Sequence, residues 1–167
     1  MIKKVMVRSI AYLTFILLFF TGCQQNQLFS ETQLFQEEGW HKDSIATFKL
    51  PILDTVATHQ VFINTRNTNA FKFSNLYLIA KLNYPNGKQK IDTLQYLMAK
   101  PNGEWLGVGA TSVKENKLWY LQDFQFNETG IYSIDLRHAM RKNGEIDGLN
   151  YLEGVLDIGI QIETTNK

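Results

Sequence analysis

Ser74-Asn75-Leu76-Tyr77-Leu78-Ile79-Ala80-Lys81-Leu82, then the turn Tyr84-Pro85-Asn86-Gly87-Lys88, then the run 90–98, decides the fold class of this chain. Leu76, Leu78, Ala80 and Leu82 recur at every second residue, so an extended backbone puts all four on one side. Between the two runs, Asn86-Gly87 can take the positive dihedral angles that a tight hairpin demands. The stretch reads as an antiparallel hairpin with one apolar face.

Working outward, strand-like runs recur at 44–50, 60–66, 118–126, 130–137 and 155–163. Tyr132, Ile134 and Leu136 repeat the two-residue pattern, as do Ile158, Ile160 and Ile162. Pro101-Asn102-Gly103 uses the turn chemistry a second time, and 127–130 marks a further reversal. The only helical expectation is one short segment at 138–143, before a loop at 144–150. Several half-buried strands require two facing sheets, so the chain reads as all-β, a single antiparallel β-sandwich of jelly-roll or immunoglobulin-like shape.

The N-terminal segment belongs to a different class of sequence. Lys3, Lys4 and Arg8 precede an apolar run from Ile10 to Phe20, which ends at Thr21-Gly22-Cys23. The run falls short of the roughly 20 residues that span a bilayer, and the pattern is that of a lipoprotein signal. The expected organisation is a signal peptide at 1–22, then a lipidated cysteine, tether and edge segment at 23–40, then a β-sandwich domain at 41–167. Acylation would turn the Cys23 thiol into a thioether, and two or three acyl chains hold a protein firmly where one does not. Cys23 is the only cysteine, which excludes an intrachain disulfide. Without Lys3, Lys4 and Arg8, the 17 basic residues no longer outnumber the 16 acidic ones. Such a charge balance does not favour a nucleic-acid partner.

Candidate chemistry is sparse. Gly107 and Gly109 permit close backbone approach, but their spacing lacks the third glycine and the lysine of a phosphate loop. His41, His59 and His138 have no short metal-ligand spacing. Strand alternation puts Ser133 and Asp135 on one face and His138 on the other, which disfavours a nucleophilic triad. Glu128, Asp135, Asp147, Glu153 and Asp157 read as solvent-facing or turn-capping carboxylates. Arg66 is expected at a strand end near Asn64, Asn67 or Asn69, on a solvated rim. Trp105, Trp119 and Tyr120 could supply a flat surface for a sugar ring or a protein partner, against the alternative of core packing. Neither a catalytic residue nor a cofactor is indicated.

Several segments taken together carry a resemblance: Trp40-His41-Lys42-Asp43-Ser44, Phe62-Ile63-Asn64-Thr65-Arg66-Asn67-Thr68, Phe73-Ser74-Asn75-Leu76-Tyr77 and Asp92-Thr93-Leu94. To these are added the stretch 101–109, Gly130-Ile131-Tyr132, and Arg137-His138-Ala139-Met140-Arg141. Over the chain from the signal to Glu163, the sequence resembles the GldH family of gliding-motility lipoproteins of Bacteroidota. The resemblance implies a cell-envelope lipoprotein tied to gliding motility and, through related gliding components, to type IX secretion; the leading expectation is a non-enzymatic accessory that binds another envelope protein. Its partners would be envelope proteins of that machinery, together with the bilayer through Cys23. It assigns no catalytic residues; Asn64, Arg66 and Asn67, with Trp105, Gly107 and Gly109, are its recognition features. Gln24 after Cys23 looks compatible with outer-membrane sorting, and Gln25-Asn26-Gln27 lacks the acidic cluster that resembles a surface-export signal. A periplasm-facing domain is the expected placement, with a carbohydrate-binding lipoprotein as the alternative function.

Overall fold

A computed structural model describes residues 26–165; the expected signal peptide, Cys23 and its two following residues lie outside the described residues. Ten strands are formed: β1 (Gln27–Leu34), β2 (Trp40–His41), β3 (Ala46–Lys49), β4 (Thr58–Asn67), β5 (Asn75–Asn83), β6 (Gln89–Leu97), β7 (Lys114–Gln125), β8 (Ser133–His138), β9 (Tyr151–Leu152) and β10 (Val155–Thr164). One sheet has the order β1-β10-β4-β7 and a second β3-β8-β5-β6, with β2 and β9 forming a small separate pair. All pairings are antiparallel. Apart from the β5–β6 hairpin, the chain crosses between the two large sheets as it passes from one long strand to the next, which is the winding of a jelly roll. The immunoglobulin-like alternative is thereby set aside.

The hairpin that decides the fold class is β5–β6, paired from Asn75↔Leu97 to Asn83↔Gln89. Its turn differs in detail from the expected tight type. Gly87 alone takes a positive φ, of 87°, while the Gly87 N–H donates to the Tyr84 carbonyl and the Tyr84 N–H to that of Lys88. This is a longer loop closed by a glycine bulge. The expected helix at 138–143 does not form. His138 ends β8, and Arg141 pairs as an isolated bridge with Gly148.

Leu76, Leu78, Ala80 and Leu82 are fully buried, as are Ile158, Ile160 and Ile162, and the two sheets meet over one apolar core. Two histidines are sealed into it. The His138 ring makes a T-shaped pair with Trp40, centroids 5.5 Å apart; its Nδ1 accepts the Met140 N–H at 3.4 Å, and its Nε2 has no hydrogen-bond partner among the described residues. Burial holds its pKa down, from 6.5 to about 4. Burial lowers that of His59 as well. Both charge more readily in the unfolded chain, so their contribution is complete above pH 6.5 and is lost on acidification, that of His138 as pH falls towards 4. Between pH 7.5 and pH 5, His138 alone is expected to remove about 2 kcal/mol of stability. Denaturant unfolding at the two pH values measures this, and His138→Gln should shrink the difference; an unchanged difference would assign it elsewhere.

Candidate functional site

Alternation along the first sheet sends Ile63 on β4 and Ile158, Ile160 and Ile162 on β10 into the core. The residues between them, Asn64 and Arg66 with Asp157, Gln161 and Glu163, therefore face outward. Of these, Asn64, Arg66, Asp157 and Gln161 form the floor of a hollow of about 670 Å³, walled by Thr32 and Leu34 of β1 on one side and by Val108, Glu115 and Lys117 on the other. Val108 and Glu115 exchange two backbone hydrogen bonds of 2.8 Å, which carries the sheet one short step past β7. Gly107 lies directly above Asn116: a Cβ there would come within 2.6 Å of the Asn116 amide oxygen. The close backbone approach expected at Gly107 is thus used for loop packing.

The floor is knitted together by its own polar groups. Asp157 accepts the Arg66 backbone N–H at 3.0 Å and the Arg66 Nε–H at 2.5 Å, with its carboxylate almost wholly covered. Asn64 donates to Gln161 at 2.7 Å, Gln161 to Glu163 at 2.6 Å, and Lys117 to Glu163 at 2.5 Å. Lys117 also stands 4.0 Å from the centre of the Phe62 ring, and Phe62 packs against Trp119 with centroids 4.3 Å apart. One continuous surface therefore runs from the Arg66–Asp157 pair to Trp119, whose side is 49% exposed. Asp157 and Glu163 are held in ion pairs, so this surface offers fixed donors, acceptors and an aromatic plane, an arrangement suited to recognition more than to proton transfer.

Other expected site residues land elsewhere. Asn67 is buried and accepts a hydrogen bond from Asn116 at 2.8 Å, behind the sheet. Arg66 sits within β4 and engages Asp157, not Asn64, Asn67 or Asn69; Asn69 instead accepts from the Trp105 indole at 3.1 Å. Trp105 leans on Phe71 across 6.1 Å. Tyr120 points to the opposite side of β7 from Trp119, its hydroxyl 3.3 Å from Asp92, and burial pushes its pKa well above the ordinary value. The three aromatics do not share one surface. Asp157, read from sequence as solvent-facing or turn-capping, is buried, and Asp135 is tied to Lys81, Asn83 and Thr47. Burial opposes ionisation of Asp135, but those three partners outweigh it and hold its pKa below the usual carboxylate value. Gln161, Lys117 and Glu163 were missed, although strict alternation against the three isoleucines of 158–162 puts Gln161 and Glu163 beside Asn64.

Comparison with known proteins bears on the whole of this domain. Residues 27–162, from the first residue of β1 into β10, match the family described as GldH lipoprotein. The chain belongs to that family. It is 43% identical over 158 residues to the gliding motility lipoprotein GldH homolog of Christiangramia forsetii, covering 95% of this chain and 96% of that protein. It is 42% identical over 155 residues to the gliding motility lipoprotein GldH of Flavobacterium johnsoniae, covering 93% and 94%. Membership makes the chain a gliding-motility lipoprotein by family, lipid-anchored in the cell envelope. A solved structure of tomato aspermy virus overlaps 88% of this chain and 81% of that one, at 12% identity and a TM-score of 0.30, a likeness too loose to inform fold or function.

Proposed function

We propose that this protein is a non-enzymatic accessory of the gliding machinery and its associated type IX secretion apparatus, acting through contacts with another envelope protein. In this reading Cys23 carries the acyl chains, the anchor is in the outer membrane, and the domain faces the periplasm. The observation that carries the proposal is the outward face from Arg66 to Trp119, a rigid polar floor ending in an exposed tryptophan. Tethering raises the local concentration of such a face near its partners, so modest contacts suffice. The same adjacency of tryptophan and amides also favours, second, a carbohydrate ligand stacked on Trp119.

Asn64 and Trp119 are partly exposed, so their loss should spare the fold while removing a donor and the aromatic plane. The double variant Asn64→Ala, Trp119→Ala is expected to reach wild-type envelope levels, yet to weaken partner capture by about tenfold or more. Photo-crosslinking from position 115, where Glu115 is exposed and lines the same hollow, carried out in native envelopes with quantitative identification of the captured proteins, reads this directly. Capture that is unaffected by the double variant would remove this face from the interface. Saturable glycan binding that the double variant abolishes would favour the carbohydrate reading.

A further inference from the structure

The end of the sandwich nearest Cys23 is fixed by hydrogen bonds at both ends of the described residues. The Thr164 N–H donates to the Asn26 carbonyl at 3.0 Å, and the Thr165 N–H to that of Thr58 at 3.2 Å. Thr58 begins β4 and directly follows the loop 51–57, so this loop sits beside the point where the tether enters the domain. Cys23 and Asn26 are three residues apart, a reach of at most about 11 Å. An acylated Cys23 therefore cannot hold this end far from the bilayer.

The same loop displays apolar side chains. Ile52 is 73% exposed and Val56 80%, while Leu53 between them packs against the core. The loop does not fold these two residues back: the Asp54 carboxylate accepts the Val56 N–H at 2.8 Å, and the Gln125 amide donates to the Thr55 carbonyl at 2.7 Å. Leu28, in β1 next to the tether, and Ile131, in the neighbouring loop whose Tyr132 carbonyl accepts the Leu50 N–H, are exposed too. Apolar side chains are exposed elsewhere too, Val108 and Ile146 among them, but these four lie at the end that the tether brings to a lipid surface.

We infer that Ile52 and Val56, flanked by Leu28 and Ile131, insert into the bilayer interface and stand the domain upright on the membrane. The inference rests on acylation at Cys23. Among the described residues, the charged groups at this end are of both signs, Asp54, Asp123 and Glu128 with Lys49 and Lys88, so apolar contact drives the insertion and anionic lipid is not required. Thr58 and Arg66 are eight residues apart on β4, so the Arg66–Asp157 pair stands roughly 25 Å further out. Docking by the loop thus presents the polar face away from the bilayer, to a partner in the aqueous space.

Because Cys23 would be a thioether, a single introduced cysteine can be labelled alone. Full-length acylated Ile52→Cys, Val56→Cys and, as a control at the opposite end, Ile146→Cys carry an environment-sensitive dye in protein-free phospholipid vesicles. Ile146 is itself 93% exposed. Flotation with the vesicles first reports acylation, so a failed anchor is distinguished from a failed docking. Dyes at 52 and 56 are expected to be quenched severalfold more by nitroxide-bearing lipid than the dye at 146, to be shielded from aqueous iodide, and to change little with salt. Equal iodide access at all three positions in floated protein would overturn the inference. So would shielding at 52 and 56 seen only in native envelopes, which would mean a protein covers the loop.

Discussion

Gly154→Ala is expected to cost more than about 4 kcal/mol, or to prevent folding, because two separate penalties fall on one methyl group. The residue sits between β9 and β10 with a φ of 80°, where an L side chain is strained by about 1–2 kcal/mol. A Cβ built there would also lie 2.0 Å from the Phe71 backbone nitrogen and 2.5 Å from the Ala70 carbonyl carbon. Backbone cannot rotate aside as a flexible side chain can, and here it is pinned: the Gly154 carbonyl accepts the Thr68 N–H at 2.8 Å, and the Phe71 N–H reaches the Thr68 carbonyl at 3.1 Å. Moving the turn would also lift Phe71, which is buried in the core, and Trp105 packed beside it. Gly87→Ala isolates the first penalty, since Gly87 has a φ of 87° with nothing near its missing Cβ. It should cost about 1 kcal/mol. Denaturant midpoints of the two variants decide the matter, and equal losses would refute the clash.

The sequence made some of these features plain and hid others for physical reasons. Strands with one buried face announced themselves, because burial imposes a period of two: β5 alternates buried and accessible positions along its length, and all seven runs read from the sequence overlap a strand. β1 did not, because it is an edge strand paired only to β10 and accessible on both faces, so no selection for alternation marks it. β2 and β9 are two residues each, too short for any period, and are held by pairing of Trp40 with Leu152. At 138–143 the residue types favoured a turn of helix, but His138 is claimed by its ladder with Leu78 and the following backbone by Gly148. The candidate site was half legible. Asn64 and Arg66 were singled out, while their partners lie some 90 residues away on β10, and only the register Asp157↔Arg66 and Gly159↔Asn64 brings them together.

Trp40→Ala should remove about 4 kcal/mol of stability and, as a second signature, release His138. Trp40 is completely buried, stacks on Phe35 at 4.8 Å and 14°, and donates its indole N–H to the Ser44 carbonyl at 2.8 Å. Truncation leaves a cavity, strands that carbonyl and removes the Trp40 contact between the β2–β9 pair and His138 at the end of β8. Trp40→Phe, which keeps much of the ring volume but lacks the indole donor, should lose about half as much. The same ring packs against His138, the two planes 72° apart in a T-shaped pair. Water entering the vacated space would stabilise the imidazolium, so the His138 pKa should climb from about 4 towards its ordinary 6.5. The acid sensitivity of folding should then weaken even as total stability falls, because a histidine that titrates alike in folded and unfolded chains contributes no pH dependence. An NMR titration of the His138 ring in Trp40→Ala, set beside its unfolding at pH 7.5 and pH 5, tests both parts. A pKa still held near 4 would mean that strands β5 and β8, rather than the tryptophan, keep water from the imidazole.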